Sequence, residues 1–528
     1  MKNFKVKKLM VSLLAVVMCG TSVLATGCFG GGDVDNSLNK EKDETKTQLN
    51  IGVYDGGLGA TWTRKVADAF EEYYKDTSFE TDKMGIQVNL DPQKLRFEGA
   101  TLVANIQADV DDNDLYLTST TAKTFIDADV CADITSILEA KVYDENGEIG
   151  GTSMSILDKM DDYFVDAYRQ ADGKYYVFPF EDSIKGIVYD ADLFEEKGYD
   201  VPQTMDEFYT LLDRMVQDKI TPFTWTGAND FYYTSLTTNI VVQYEGVEGA
   251  NQNLFYNGTF NGTEINNENA YLLAGQQGKL EALKFLRKIT SSSSYYSKMA
   301  FAGSQSHLIA QQEFVLSTVA AKSGSGRRIA MLLEGDWWEN EARAQFEEMS
   351  GGDPDSEYAY GKRNFRFMPM PKMDGQKMED TVFTSNSNGC AGFVRKDRDA
   401  VTQQVAGLWI QFMHANSSLA TFTHETSSVL PYNYTLTTEQ YNALTPFGRD
   451  VWDIRHDENI TIYHSAVAGD IYTNTVCKMG GVQEIKHANS GNALRHFYNN
   501  PKVTAEEYFD LSKAYYEKLW KDNIHLYI

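Results

Sequence analysis

Residues 49–62 read LNIGVYDGGLGATW: a short apolar strand, Leu49 to Tyr54, gives way to a glycine-rich loop, and beyond it Val66, Phe70, Tyr73 and Tyr74 recur at helical spacing. Ile86, Val88 and Leu90 then alternate as a second strand, a helix-compatible stretch runs from about Leu95 to Ala108, and Leu115-Tyr-Leu117 is strand again. Strand, helix, strand, helix, strand in that order implies a parallel sheet with helices on both faces, an α/β fold.

The same alternation continues outward. Thr204-Met-Asp-Glu207 is a capping box that starts a helix, as is Thr504-Ala-Glu-Glu507. Leu280, Leu283, Leu286 and Ile289 mark one amphipathic helix, and Val405, Leu408, Trp409, Phe412 and Met413 another. Ile329 to Leu333 is a continuous apolar run, as expected of a buried parallel strand. Tyr256-Asn-Gly-Thr-Phe-Asn-Gly-Thr263, with two Asn-Gly pairs, reads as a small hairpin insertion. The serine-rich stretches 291–297 and 323–326 read as loops.

The N-terminus has a different character. Residues 1–28, MKNFKVKKLMVSLLAVVMCGTSVLATGC, carry four lysines and no acid, then an apolar core from Leu9 to Met18, then small residues up to Cys28. The core is too short for the roughly 20 residues a membrane crossing needs, so residues 1–27 are expected to be a secretory leader. The ending Leu24-Ala-Thr-Gly-Cys28 resembles a bacterial lipobox, which implies a diacylated Cys28 as the mature N-terminus. Residues 28–47 are rich in glycine and charge and cannot bury enough apolar surface to order themselves. They are expected to be a flexible tether holding a domain about 25 Å from the membrane.

Loss of the leader takes four lysines and no acids, so a formal charge of −27 becomes −31. Nucleic acid is excluded as a partner, because its affinity rests on Lys and Arg neutralising phosphates. Of five cysteines, Cys19 leaves with the leader and Cys28 takes lipid. The widely spaced Cys131, Cys390 and Cys477 suit neither a disulfide framework nor zinc, and read as small buried hydrophobes. The acidic run Asp109 to Asp114 lacks the glycine and terminal glutamate of a calcium loop and reads as a solvated turn; no metal or cofactor is expected.

In Ala330-Met-Leu-Leu-Glu-Gly-Asp-Trp-Trp-Glu-Asn-Glu-Ala342, two adjacent tryptophans stand among carboxylates at the end of the apolar strand. Neighbouring residues point in different directions, so one core cannot receive both indoles on one face. At least one of Trp337 and Trp338 is expected to look elsewhere.

These residues also carry a resemblance. The segment 176–194, YVFPFEDSIKGIVYDADLF, followed by 197–208, KGYDVPQTMDEF, resembles the hinge-and-helix region of family 1 extracellular solute-binding proteins of ABC importers. AMLLEGDWWENEA is similar to that family's strand-and-turn, Phe365 to Pro371 to its second crossover, and His424 to Tyr434 to its late cleft loop. The resemblance implies a two-lobed periplasmic-binding-protein-like fold with a hinge and an interlobe ligand cleft. By its map, residues 48–181 with 372–420 form lobe one and residues 187–371 with 421–528 form lobe two. It implies a monomeric protein, lipid-anchored on the extracytoplasmic face of the cell membrane. The protein would capture a carbohydrate by hinge closure and pass it to the permease subunits of an ABC transporter. The length of the chain points to an oligosaccharide.

A pyranose has an apolar C–H face and a rim of hydroxyls, so its site needs aromatic platforms edged by donors and acceptors. Candidates in loops after strands are Asp55 and Trp62, Thr118, Glu181 and Asp182 at the hinge, Trp225 and Asn229, Glu334, Asp336, Trp337 and Trp338, Asn386, and Tyr432. Trp409 and Trp520, at helical spacing, read as interior. The competing class is a surface-anchored glycoside hydrolase, which needs two carboxylates roughly 5 to 10 Å apart, such as Glu181 with Asp336 or Glu334. No hydrolase motif stands in the sequence, so a binder and not an enzyme is expected. A structural adhesin would show internal repeats, and none is found.

Overall fold

The alternation read at residues 49–117 builds the first of two sheets. The structure, a computed structural model, describes residues 38–93, 99–142, 154–229, 232–385, 390–464, 482, 484–487 and 492–526. The leader, Cys28, most of the tether, Asn386 and Cys477 lie outside them. Strands β1 (Thr47–Tyr54), β2 (Ile86–Gln93) and β3 (Leu115–Thr118) pair in parallel with β1 in the centre. Leu49, Ile51 and Val53 of β1 and Ile86, Val88 and Leu90 of β2 are buried. The helix Thr61–Tyr73 covers them, its Phe70 packing edge-on to Trp409 and Phe412 of the helix Ala400–Met413 at 5.4 Å. Trp409 is interior, as its helical spacing predicts.

From β4 (Phe178–Pro179) the chain leaves this sheet through Phe180–Ser183 and enters the second as β5 (Ile184–Asp190). On one edge of β5 lies β9 (Ile329–Gly335), antiparallel, followed by β6 (Thr221–Thr224), parallel to β9. The hairpin strands β7 (Thr259–Phe260) and β8 (Thr263–Glu264) turn at Asn261-Gly262, both with positive φ, as the second Asn-Gly pair predicts. On the other edge of β5, β10 (Phe365–Met368) pairs with Ile187–Asp190 and β11 (Thr381–Ser385) with Ile184 and Lys185. Strand β12 (Ala391–Val394) returns to the first sheet between β3 and β4, and β13 (Ile460–His464) closes the second beside β11.

Two expectations are corrected by this topology. Phe365 to Pro371 is no crossover: residues 365–368 run antiparallel to β5 within the second sheet, and the chain passes back only between Ser385 and Ala391. The strand β11, TVFTS, shows no alternation because it is only five residues long and buried from Val382 to Ser385. The tether also ends sooner than residue 47. Asn39 exchanges hydrogen bonds with the backbone of Leu90, and the Asp43 amide donates to Gln87, so residues 39–43 lie along the edge of β2.

The acidic run is a third correction. Asp111, Asn113 and Asp114 are buried rather than solvated, because Arg395, itself 0 % exposed, donates to the Asp111 carbonyl and pairs with Asp109, while Arg398 pairs with Asp114.

The second lobe builds a continuous core against one face of its sheet, where paired Phe223 and Met331 join Phe208, Phe285, Leu286 and Tyr508 in one cluster. The capping boxes at Thr204 and Thr504 both form, starting the helices Met205–Gln217 and Ala505–Asn523. Trp520 is buried edge-on to Tyr256 and donates to the Asn267 carbonyl.

Strand β5 carries pairing on both edges and tolerates no bulk at Gly186. A β-carbon there would meet the Met368 carbonyl oxygen at 2.8 Å and the rings of Phe367 and Phe383 at 2.9 and 3.0 Å. Gly186→Ala is therefore expected to cost about 1–3 kcal/mol in chemical denaturation, and an unchanged midpoint would contradict this packing.

Candidate functional site

The carboxyl ends of strands in both sheets converge on the crossing between β4 and β5, the place where ligands bind in open α/β sheets. From the first sheet come the loop Asp55–Gly57 after β1, Thr118 at the end of β3 and Glu181 after β4. From the second come Asp336 and Trp337 after β9, Trp225 after β6, Ser385 ending β11 and His464 ending β13.

The two tryptophans separate as their adjacency requires. Trp338 opens a short helix and is 0 % exposed among Phe314, Phe346, Phe365 and Phe447, with ring centroids 5.2 to 6.1 Å away. Its expected ligand contact is corrected: it is second-lobe core. Trp337 turns the other way. Its indole lies over Gly335, where a β-carbon would fall 2.2 Å from the ring, so only glycine fits beneath it. Its other neighbours are Tyr232, edge-on at 6.3 Å, and Gly57 of the first lobe, whose own β-carbon position lies 3.3 Å from Trp337 Cβ. Asn340 Nδ2 reinforces that contact by donating to the Gly57 carbonyl at 3.0 Å.

Beside the indole lies a polar cluster. Asp182, 2 % exposed, receives Arg455 Nη1 at 2.7 Å and the Ser385 hydroxyl, with His464 Nδ1 3.6 Å away. Burial alone would raise its pKa; Arg455, His464 and Ser385 together hold it below the ordinary carboxylate value. Asp336, 0 % exposed, accepts from Ser428 Oγ at 2.8 Å, and burial pushes its pKa up to about 7 against the opposing charge of Arg455. Glu334 is raised as well, by burial and then by the Glu341 charge; Gln311 Nε2 donates to both, at 3.2 and 2.6 Å. Glu181 accepts from Ser183 Oγ at 3.0 Å and the Cys390 thiol at 2.8 Å, and desolvation raises it too. Lys185 sits on β5 between these acids, its pKa lowered by burial against the pull of Glu334 and Glu181. Its Nζ is 5.9 Å from the ring centroids of both Tyr232 and Trp337.

The structure thus brings together Glu181, Asp182, Glu334, Asp336 and Trp337, with Asp55 half-buried at the rim. Thr118 is buried, its Oγ1 accepting from the Thr120 amide. Trp225 is 3 % exposed, edge-on to Phe301 at 5.3 Å; half-buried Asn229 donates its amide to Thr226 Oγ1 at 3.1 Å. Two more expectations are corrected. Trp62 is 3 % exposed and edge-on to Phe422 at 5.0 Å, packed between helices because it opens the helix Thr61–Tyr73 on its inner face. Tyr432 is 5 % exposed with its hydroxyl donating to the Pro179 carbonyl at 2.7 Å, so it braces the crossing instead of offering a platform. Asn386 lies outside the described residues. Sequence reading missed Lys185, Tyr232, Arg455 and Ser428. Lys185, a lone cation inside an apolar strand, was the one signal available.

No family model matches the sequence, and no curated protein matches it. Solved structures do. A chitin oligosaccharide binding protein aligns with a TM-score of 0.57 at 14% identity over 90% of this chain and 99% of that one. RafE in complex with raffinose aligns at 0.53 and 14% identity over 89% and 100%, and maltose-bound T. maritima MalE3 at 0.50 and 15% over 90% and 100%. The fold is the two-lobed α/β fold of solute-binding proteins.

A carboxyl whose pKa rises from 3.8 to about 7 binds its proton more tightly folded than unfolded, so it removes stability as pH climbs between those values. Asp336→Asn abolishes that loss. Its melting temperature relative to the parent is expected to be higher above about pH 7 than near pH 4, and a gap constant with pH would show that Asp336 titrates normally.

Proposed function

We propose that the protein captures a carbohydrate, an oligosaccharide, between its lobes and delivers it to an ABC permease without altering it. The observation that carries this reading is the Trp337 indole, held where a first-lobe loop meets the second lobe and edged by buried carboxyls. An indole face suits the C–H face of a pyranose, and carboxylates suit its hydroxyls. The names of the solved neighbours, with chitin oligosaccharide, raffinose and maltose as ligands, support it. Hinge opening would part Gly57 from Trp337 and expose the indole; closure around the sugar would form the surface that a permease reads.

In this reading lobe one comprises residues from about 39 to 180 and from about 390 to 434, and lobe two the remainder, following sheet membership. The monomer is held on the extracytoplasmic face of the cell membrane through a diacylated Cys28. No helix among the described residues is long and apolar enough to cross a membrane. A lipid anchor accounts for attachment, and Cys28→Ser is expected to release the protein from membranes into the medium. Retention of that variant in the membrane fraction would end the lipobox assignment.

The binding test separates the adjacent tryptophans. Trp337→Ala should weaken binding of the best ligand from a thermal-shift panel of oligosaccharides by about tenfold or more and leave the fold largely intact. Trp338→Ala should cost about 3–5 kcal/mol of stability and leave the affinity of the folded fraction unchanged. A glycoside hydrolase remains the second reading because Asp336, with its raised pKa, feels the charge of Glu181. Shortened products after incubation with that ligand would decide for the hydrolase.

A further inference from the structure

The charges at the crossing do not balance. Four carboxyls, Glu181, Asp182, Glu334 and Asp336, face two fixed cations, Lys185 and Arg455. Arg455 is engaged with Asp182 at 2.7 Å, and His464, the remaining basic group at Asp182, has its pKa lowered by burial against the pull of Asp182 and Asp161. Glu341, on the far side of Gln311, adds a further acid near Glu334, with His307 3.5 Å beyond it. Asp336 is 0 % exposed, and its Oδ1 has no hydrogen-bond partner among the described residues.

Hydroxyl groups of a neutral sugar can occupy acceptor sites, but they do not cancel net charge. When a cleft closes and water leaves, uncompensated carboxylates cost several kcal/mol each, and they either take up protons or receive a cation. The raised pKa values of Glu334 and Asp336 are the first of these responses in the protein alone. The unpartnered Asp336 Oδ1 favours the second, because a cation carrying N–H donors gives that buried oxygen the hydrogen bond it lacks. The Tyr232 and Trp337 rings, 5.9 Å from Lys185 Nζ, already face the protein's own ammonium, which places an incoming cation at the carboxyls and leaves the indole for the sugar ring. The formal charge of −27 on the whole chain adds a long-range field of the same sign.

Resting on the carbohydrate reading, we propose that the ligand is an amino sugar, a pyranose carrying a protonated amine that docks among Glu334, Asp336 and Glu181 beside the Trp337 indole. The sugar ring stacks on the indole while its ammonium supplies the missing positive charge. Binding then displaces protons held by the raised carboxyls, so the complex forms with proton release.

The test uses matched oligosaccharides that differ at one substituent: the β-1,4 trimer of glucosamine, its N-acetylated counterpart and the glucose trimer of the same linkage, titrated calorimetrically near pH 5.5, where the sugar amines are already protonated in solution and take up no proton on binding. The amine trimer is expected to bind about tenfold or more tightly than either neutral trimer, with a heat that varies with buffer ionisation enthalpy in the sense of proton release. Asp336→Asn and Glu334→Gln should each narrow that preference while changing affinity for the neutral trimers less. Equal or tighter binding of the neutral trimers overturns the amino-sugar inference and leaves the carbohydrate reading standing. Binding of spermidine with no binding of any trimer overturns both, and binding of none of the four overturns the amino-sugar inference.

Discussion

Asp182 stands where the chain passes from one sheet to the other, and a carboxylate with so little exposure has to be neutralised in place. Arg455, near the end of the helix Pro446–His456, neutralises it, and two groups far away in sequence add polar contacts, the Ser385 hydroxyl at the end of β11 and His464 at the end of β13. Each contact fixes one element of the second lobe to the crossing. Replacing buried ion pairs by apolar residues is often neutral, whereas removing one partner leaves a charge stranded at a cost of about 3–5 kcal/mol. The Asp182 pair therefore sets geometry more than it adds stability. It determines how the helix Pro446–His456 and β13 dock, and with them where Arg455 sits relative to Asp336.

The same crossing is braced from the first lobe. Tyr432 donates to the Pro179 carbonyl, and Ser428, just upstream, donates to Asp336. Neighbouring Ser427 donates to Glu339 at 2.7 Å, which also receives the Thr445 hydroxyl. The segment 427–445 thus touches acids at both ends of the turn that carries Trp337. A hinge assembled from several hydrogen-bonded passages rotates about them with little sliding, since each polar contact is short-ranged and directional.

What could be read from the sequence was what local rules control. Capping boxes at Thr204 and Thr504 and the Asn261-Gly262 turn depend on residues a few positions apart, and they stand as expected, as does the parallel order of β1, β2 and β3 that the strand-helix alternation implies. The hinge segment 176–194 was legible because a Pro-containing strand followed by Tyr-x-x-x-Leu-Phe keeps its pattern in one piece. The cluster around Asp182 was not: Arg455 lies 273 residues away, and nothing near it distinguishes it from a surface arginine on an amphipathic helix. Tyr432 and Trp62 misled for the opposite reason. Their loops suit a cleft, but whether an aromatic ring faces outward or packs on His414 or Phe422 is settled by the partner across the lobe.

The turn 335–338 shows how two adjacent indoles come to lie in different surroundings. Gly335 lets the Trp337 ring fold back over the strand end, and Trp338, one residue on, enters an aromatic core with no exposed surface. The buried carboxyls at this turn work against folding, because each would be better hydrated in the unfolded chain. That disadvantage is tolerable only where well-packed elements over-determine the position, and the Trp338 core next to them provides that support. The site residues are accordingly those that break the rules the rest of the chain obeys: a lysine on a central strand, three acids in the interior and an indole held between lobes.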